Sequence, residues 1–128
     1  MNRLILAAAA LALLTATPAL AQGDALSAHL SASFKACFQR AGDNAVQRSI
    51  CAQREVGAQD DRLNKAYQQV MRQLANDPPA HTTLRDEERR WISERDYACK
   101  VNGDTIDVSC VVMKTALRAD ELERRIRF

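Results

Sequence analysis

The sequence predicts an all-α protein, a small antiparallel bundle of about four helices stapled by two disulfides. Glycine and proline are scarce, at 4 and 3 of 128 residues, and no β-branched run occurs, so the apolar spacing reads as helical. Turn-forming clusters around Gly42, Pro78 and Gly103 cut the chain into four stretches of helical length. Four cysteines, Cys37, Cys51, Cys99 and Cys110, form an even set in a short chain with an export signal, which is the pattern of a disulfide framework with three possible connectivities.

The export signal occupies residues 1–21. Arg3 supplies a positive start, Leu4 to Leu14 is nearly unbroken apolar sequence, and Ala19-Leu20-Ala21 offers small residues for cleavage after Ala21. Thr15, Thr17 and Pro18 interrupt the apolar run short of the ~20 residues a spanning helix needs, so no stable membrane insertion is expected after cleavage. No cysteine stands at the cut to take a lipid, and the mature protein is expected in the periplasm or secreted. Removing 21 of 128 residues leaves 107, residues 22–128, enough for one domain with one modest core. Arg3 is the only charge lost, so 17 basic face 16 acidic residues, a mature charge of +1. That balance excludes a nucleic-acid binder dependent on excess Lys and Arg.

The first helix is expected over about 28–40, with Leu30, Phe34, Cys37, Phe38 and Ala41 on one face. Ala41 to Asn44 follows as a turn. The second helix is expected over about 45–76, with Val56, Leu63, Tyr67, Val70 and Leu74 as its seam and a break near Gly57, where glycine costs a helix about 1 kcal/mol relative to alanine. Asp77-Pro78-Pro79 is expected to stop it, with a third helix starting near Ala80. That helix carries Leu84, Glu88, Trp91, Ile92, Arg95 and Cys99 on one side, and Asp86, Glu87, Arg89 and Arg90 mostly on the other. Asn102-Gly103-Asp104 marks a turn, and Val108, Val112, Thr115, Ala119, Leu122 and Ile126 form the seam of the last helix. Short connections make consecutive helices antiparallel neighbours.

This layout pairs Cys99 at the end of the third helix with Cys110 at the start of the fourth, and leaves Cys37 for Cys51 across the turn at Gly42. Bridges closing loops of this length stabilise by about 2 to 3 kcal/mol each in the chain-entropy model. No cysteine pair has zinc-ligand or Cys-x-x-Cys spacing, and His29 and His81 stand near no cysteine, so no metal and no cofactor are expected.

Polar residues fall on faces expected to be buried: Asp60, Asn64 and Tyr67 along the second helix, Trp91, Arg95 and Asp96 on the third, Thr115 and Arg118 on the last. A catalytic acid clamped by arginines is one reading. A buried network that sets helix register, with Asp60 an ionised partner of Arg95 or Arg118, is preferred, because an acid among arginines stays ionised. No phosphate loop, nucleophile elbow or zinc-helix motif is present, and no enzyme is expected.

The segments Ser49-Ile50-Cys51, Asp60-x-x-Leu63-Asn64-x-x-Tyr67, Trp91-x-x-x-Arg95-Asp96-x-x-Cys99 and Cys110-x4-Thr115-x-x-Arg118-x-x-x-Leu122 together resemble the LprI-like lysozyme-inhibitor family of exported bacterial proteins, over about residues 34–125. The resemblance implies a helical, disulfide-bonded envelope protein and a partner such as lysozyme or another cell-wall hydrolase. The turn Asn102, Gly103, Asp104 and Thr105, with Asp107 beyond it, is the candidate partner-binding loop, since it offers two carboxylates beside a glycine in a braced segment. The alternative is a structural or interaction module of the envelope, binding through the outer face of Glu87, Arg90 and Glu94.

Overall fold

The computed structural model describes residues 29–128; the expected leader lies outside them. Four helices follow in order: α1 (Ala32–Ala41), α2 (Ala45–Gln73), α3 (Pro78–Ala98) and α4 (Val108–Arg125), with strands β1 (Lys100–Val101) and β2 (Thr105–Ile106) between the last two. Every helix starts on a side-chain cap that accepts an otherwise orphaned backbone N–H. Ser31 accepts from Phe34, Asn44 from Gln47, Asp77 from Ala80, and Asp107 from both Ser109 and Cys110. These caps set the boundaries: α1 starts at Ala32, after the Ser31 cap, rather than near residue 28, and two further expectations fail. The prolines do not end the second helix: α2 stops earlier, and Pro78 and Pro79 form the first turn of α3, where a missing N–H costs nothing. Nor does α2 break at Gly57, an exposed position that the packing on either side carries through.

The order of contacts along the helices gives their directions. Val56 and Val111 line one cavity, Arg62 bonds Asp120 and Glu123, and Gln73 bonds the backbone of Arg127, so α2 and α4 run parallel. Glu87 meets Arg125 while Arg95 meets Thr115 and Asp60, so α3 runs antiparallel to both. The bundle is therefore up-down-up, as short connections dictate.

Helices α2 and α4 approach most extensively, and small residues explain why. Ala52 and Ala66 on one, and Ala116 and Ala119 on the other, are fully buried and let the backbones close together. Leu63, Val70, Leu84 and Leu122 fill the core between them, with Tyr67, Leu74, Trp91 and Ile126 packed partly exposed around it. The seam expected on the last helix is the floor of this core: Val112, Thr115, Ala119 and Leu122 expose 1% or less. Helix α3 sits farther out, burying only Leu84 and Glu88 completely and reaching its neighbours through long side chains.

Helix α1 is a clip rather than a core element. None of its residues is fully buried, and Cys37–Cys51 ties it to α2 with a Cα separation of 5.8 Å. Phe34 packs at a tilt against Phe38, with ring centroids 5.2 Å apart, and Arg48 covers Phe38 at 4.9 Å while donating to the carbonyl of Gly42. Gly42, at φ 53°, makes the reversal between α1 and α2. The second bridge, Cys99–Cys110, closes the other end at 5.5 Å. Between those cysteines the chain forms a two-stranded hairpin rather than a plain turn, pairing Lys100 with Ile106 and Val101 with Thr105. Asn102 and Gly103, both at positive φ, give this hairpin its reversal.

Candidate functional site

Arg118 sits where α3 meets α4, its side chain only 4% exposed and every guanidinium nitrogen occupied. Nε and Nη2 donate to Glu88 at 2.9 and 2.8 Å, Nη2 also to Glu87 at 2.9 Å, and Nη1 to Glu121 at 2.9 Å. Arg125 donates to Glu87 and Glu121 from outside, at 2.8 and 2.6 Å. Two guanidiniums thus hold three carboxylates, which is the arrangement that makes a buried charge tolerable. Burial penalises the charge of Arg118, but the bonds to Glu88, Glu87 and Glu121 outweigh it and raise its pKa. The bond from Arg125 draws the Glu87 carboxyl below its usual range against the opposing pull of burial, with Arg118 adding to it. For Glu121 burial is the strongest influence and acts upward, yet Arg118 and Arg125 together leave it lowered. Glu87 consequently bonds towards α4, while Arg90 and Glu94 of the expected outer face are exposed.

The other polar residues singled out in the sequence do not form one buried network with Arg118. Asp60 is exposed, meets Arg95 at 3.4 Å and has no bond to Arg118. Arg95 donates from Nε to Asp96 at 2.9 Å and from Nη1 to Thr115 at 3.2 Å, while Thr115 donates to the carbonyl of Val111. Trp91 lies under both guanidiniums, 5.3 Å from that of Arg95 and 5.8 Å from that of Arg118. Asn64 and Tyr67 make no side-chain hydrogen bond among the described residues. What unites this set is a groove instead: because α3 stands off α2, a cavity of about 360 Å³ opens between them, lined by Asp60, Leu63, Asn64, Tyr67, Trp91 and Arg95. Helical periodicity put Asp60 and Asn64 on a face expected to be buried, and both are exposed, because the width of the gap between helices carries no local signal.

The hairpin, by contrast, is solvent-exposed throughout residues 100–107. Its base is closed by the Cys99–Cys110 bridge and by the Asp107 amide donating to the carbonyl of Cys99 at 2.9 Å. Asp104 projects freely, with only Lys100 nearby at 3.5 Å. Asp107 is not equivalent to it. Its carboxylate caps α4, so the expected pair of free acids reduces to Asp104 alone.

Two buried polar groups escaped the sequence reading. Glu55, 2% exposed, accepts from the amide and hydroxyl of Ser31 and from Gln59, itself 3% exposed, which also donates to the carbonyl of His29. They fasten the chain before α1 onto α2. Their signal was present: Cys51, Glu55, Gln59 and Leu63 are spaced by four along the buried stripe of α2. Arg62 forms a second bridge between α2 and α4, bonded to Asp120 and at 2.7 and 2.6 Å to Glu123, and the Glu123 bond leads the effects that raise its pKa against burial.

No curated protein and no solved structure matches the chain. A family model does, that of the lysozyme inhibitor LprI, over residues 37–122, from the first cysteine of one bridge past the second bridge to the buried end of α4. The match takes in the core, both disulfides, the hairpin and the groove, and the chain belongs to the LprI lysozyme-inhibitor family.

Proposed function

We propose that the mature protein is an exported binding protein that occludes a cell-wall hydrolase such as lysozyme, with the hairpin between Cys99 and Cys110 as its contact element. The family match carries the reading, and the two disulfides fit a protein that works outside the reducing cytoplasm. The hairpin suits the task because it is fully exposed yet ordered before binding: a bridge, a closing backbone bond and two turn residues at positive φ fix its shape. A contact element ordered in advance loses little entropy on docking. Asp104 supplies an exposed anion at the tip. The +1 charge expected after loss of residues 1–21 offers no long-range attraction to a basic enzyme, so affinity rests on this local fit.

The test is clearance of a cell-wall suspension by lysozyme with and without the protein. Micromolar excess should slow clearance, and Asp104→Ala should weaken the effect by about tenfold, the loss of roughly 1.4 kcal/mol of contact energy. No slowing by the parent would remove the hydrolase reading; undiminished slowing by Asp104→Ala would remove the hairpin. Export belongs to the same proposal, and mass spectrometry of the secreted protein should find Gln22 at its start.

A further inference from the structure

We propose that the groove between α2 and α3 is a saccharide site, shaped for chains of N-acetylated amino sugars. The groove, about 360 Å³, falls within the size of small-ligand sites. Its two walls carry one aromatic residue each, Tyr67 on α2 and Trp91 on α3, with Leu63 and the 43% exposed Ile92 adding apolar surface. A pyranose ring needs that combination, since its C–H face is apolar while its rim carries hydroxyls. The polar groups beside the aromatics suit the rim. The Asn64 amide offers donors and an acceptor, none of them used by a hydrogen bond among the described residues, and it complements an acetamido group. Asp60, half exposed and held only at 3.4 Å by Arg95, has acceptor capacity left for hydroxyls.

Charge selects against anionic ligands. Arg95 is shared between Asp96 at 2.9 Å and Asp60 at 3.4 Å, and Glu88 is already bound by Arg118, so the groove presents no free cation for phosphate. A hydrogen-bonding, partly apolar ligand without anionic charge fits this lining. The hairpin residues do not line the groove, so this site and the proposed inhibitory contact stand or fall separately.

Trp91 is the only tryptophan in the chain, which makes its fluorescence a direct reporter of occupancy. Titrating the mature protein with chitotetraose should give a saturable change in that fluorescence, and maltotetraose, which lacks acetamido groups, should not. Asn64→Ala should weaken chitotetraose binding about tenfold, as expected for a lost amide contact, at an unchanged melting temperature. Asp104→Ala should bind the sugar like the parent, whatever it does to inhibition. An absent response, an equal response to maltotetraose, or unaltered binding by Asn64→Ala would overturn the proposal. So would a response to lysozyme without any to the sugar, which would assign the groove to a protein partner.

Discussion

Arg118 on α4 and Arg95 on α3 flank the same tryptophan and face carboxylates on a neighbouring helix, yet their surroundings differ in kind. Arg118 is enclosed, all its donors are taken, and three glutamates depend on its charge. Around Arg95 the helices part, and its bond across the gap runs to an acid that is half in water. The same chemistry therefore locks one interface and lines an open groove at the other. What separates them is the set of partners each side chain reaches. Arg118 meets two glutamates across the α3–α4 contact and a third on its own helix, whereas Arg95 meets a single, half-exposed aspartate across the α2–α3 gap.

Removing the saturated arginine should have the largest effect. Arg118→Ala leaves Glu87, Glu88 and Glu121 clustered with only Arg125, at an expected cost of about 3 to 5 kcal/mol. For a domain of this size each kcal/mol moves the melting temperature by about 4 to 8 °C, so thermal unfolding should fall by well over 10 °C. A loss of only a few degrees would mean that the cluster opens to water and behaves as a surface network.

Acid should dissect the same cluster. Glu87 and Glu121 have folded pKa values below the 4.5 of an unperturbed glutamate, so their contribution is complete above that pH and disappears as pH falls through the lowered values. The arginines, whose pKa values are raised further by their carboxylate partners, stay charged throughout this window. Melting temperature should therefore drop below about pH 4.5 in the parent and more gently in Arg118→Ala, and parallel curves would place the acid sensitivity elsewhere.

The bundle was legible where one physical rule acted alone. The seam of α4 follows from apolar period, and the cysteine pairing follows from which helix ends a turn brings together. It was misread where two rules compete. Pro78 and Pro79 break a helix interior but favour a first turn, and only the cap at Asp77 decides between them. The candidate site was legible as a set of residues but not as a shape. Asp60 and Arg118 share an inner-facing phase in the sequence, and whether such a phase meets a closed core or a gap depends on residues from other helices.

Asp107 and Asp104 extend the comparison to the hairpin, where one acid is used and the other is free. Asp107→Ala removes the cap of α4 and should cost about 1 kcal/mol, with Asp107→Asn recovering most of it because asparagine caps equally well. Denaturant unfolding measures both. If the asparagine variant is as weak as the alanine one, charge at the helix end matters more than the hydrogen bonds.

Asp60 should be the least costly of these charges to remove. Asp60→Asn touches a pair that, on sequence alone, looks as buried as the one around Arg118 and would cost as much to break. In the fold Asp60 is exposed, its bond to Arg95 is long, and Arg95 keeps Asp96 and Thr115 as partners when Asp60 loses its charge. Exposed pairs contribute about 0 to 1 kcal/mol, so Asp60→Asn should melt within a few degrees of the parent. Run beside Arg118→Ala under one buffer condition, it isolates what enclosure alone adds to an arginine–carboxylate contact. A loss approaching that of Arg118→Ala would show the α2–α3 gap to be closed in solution, and would remove the groove together with the saccharide site built on it.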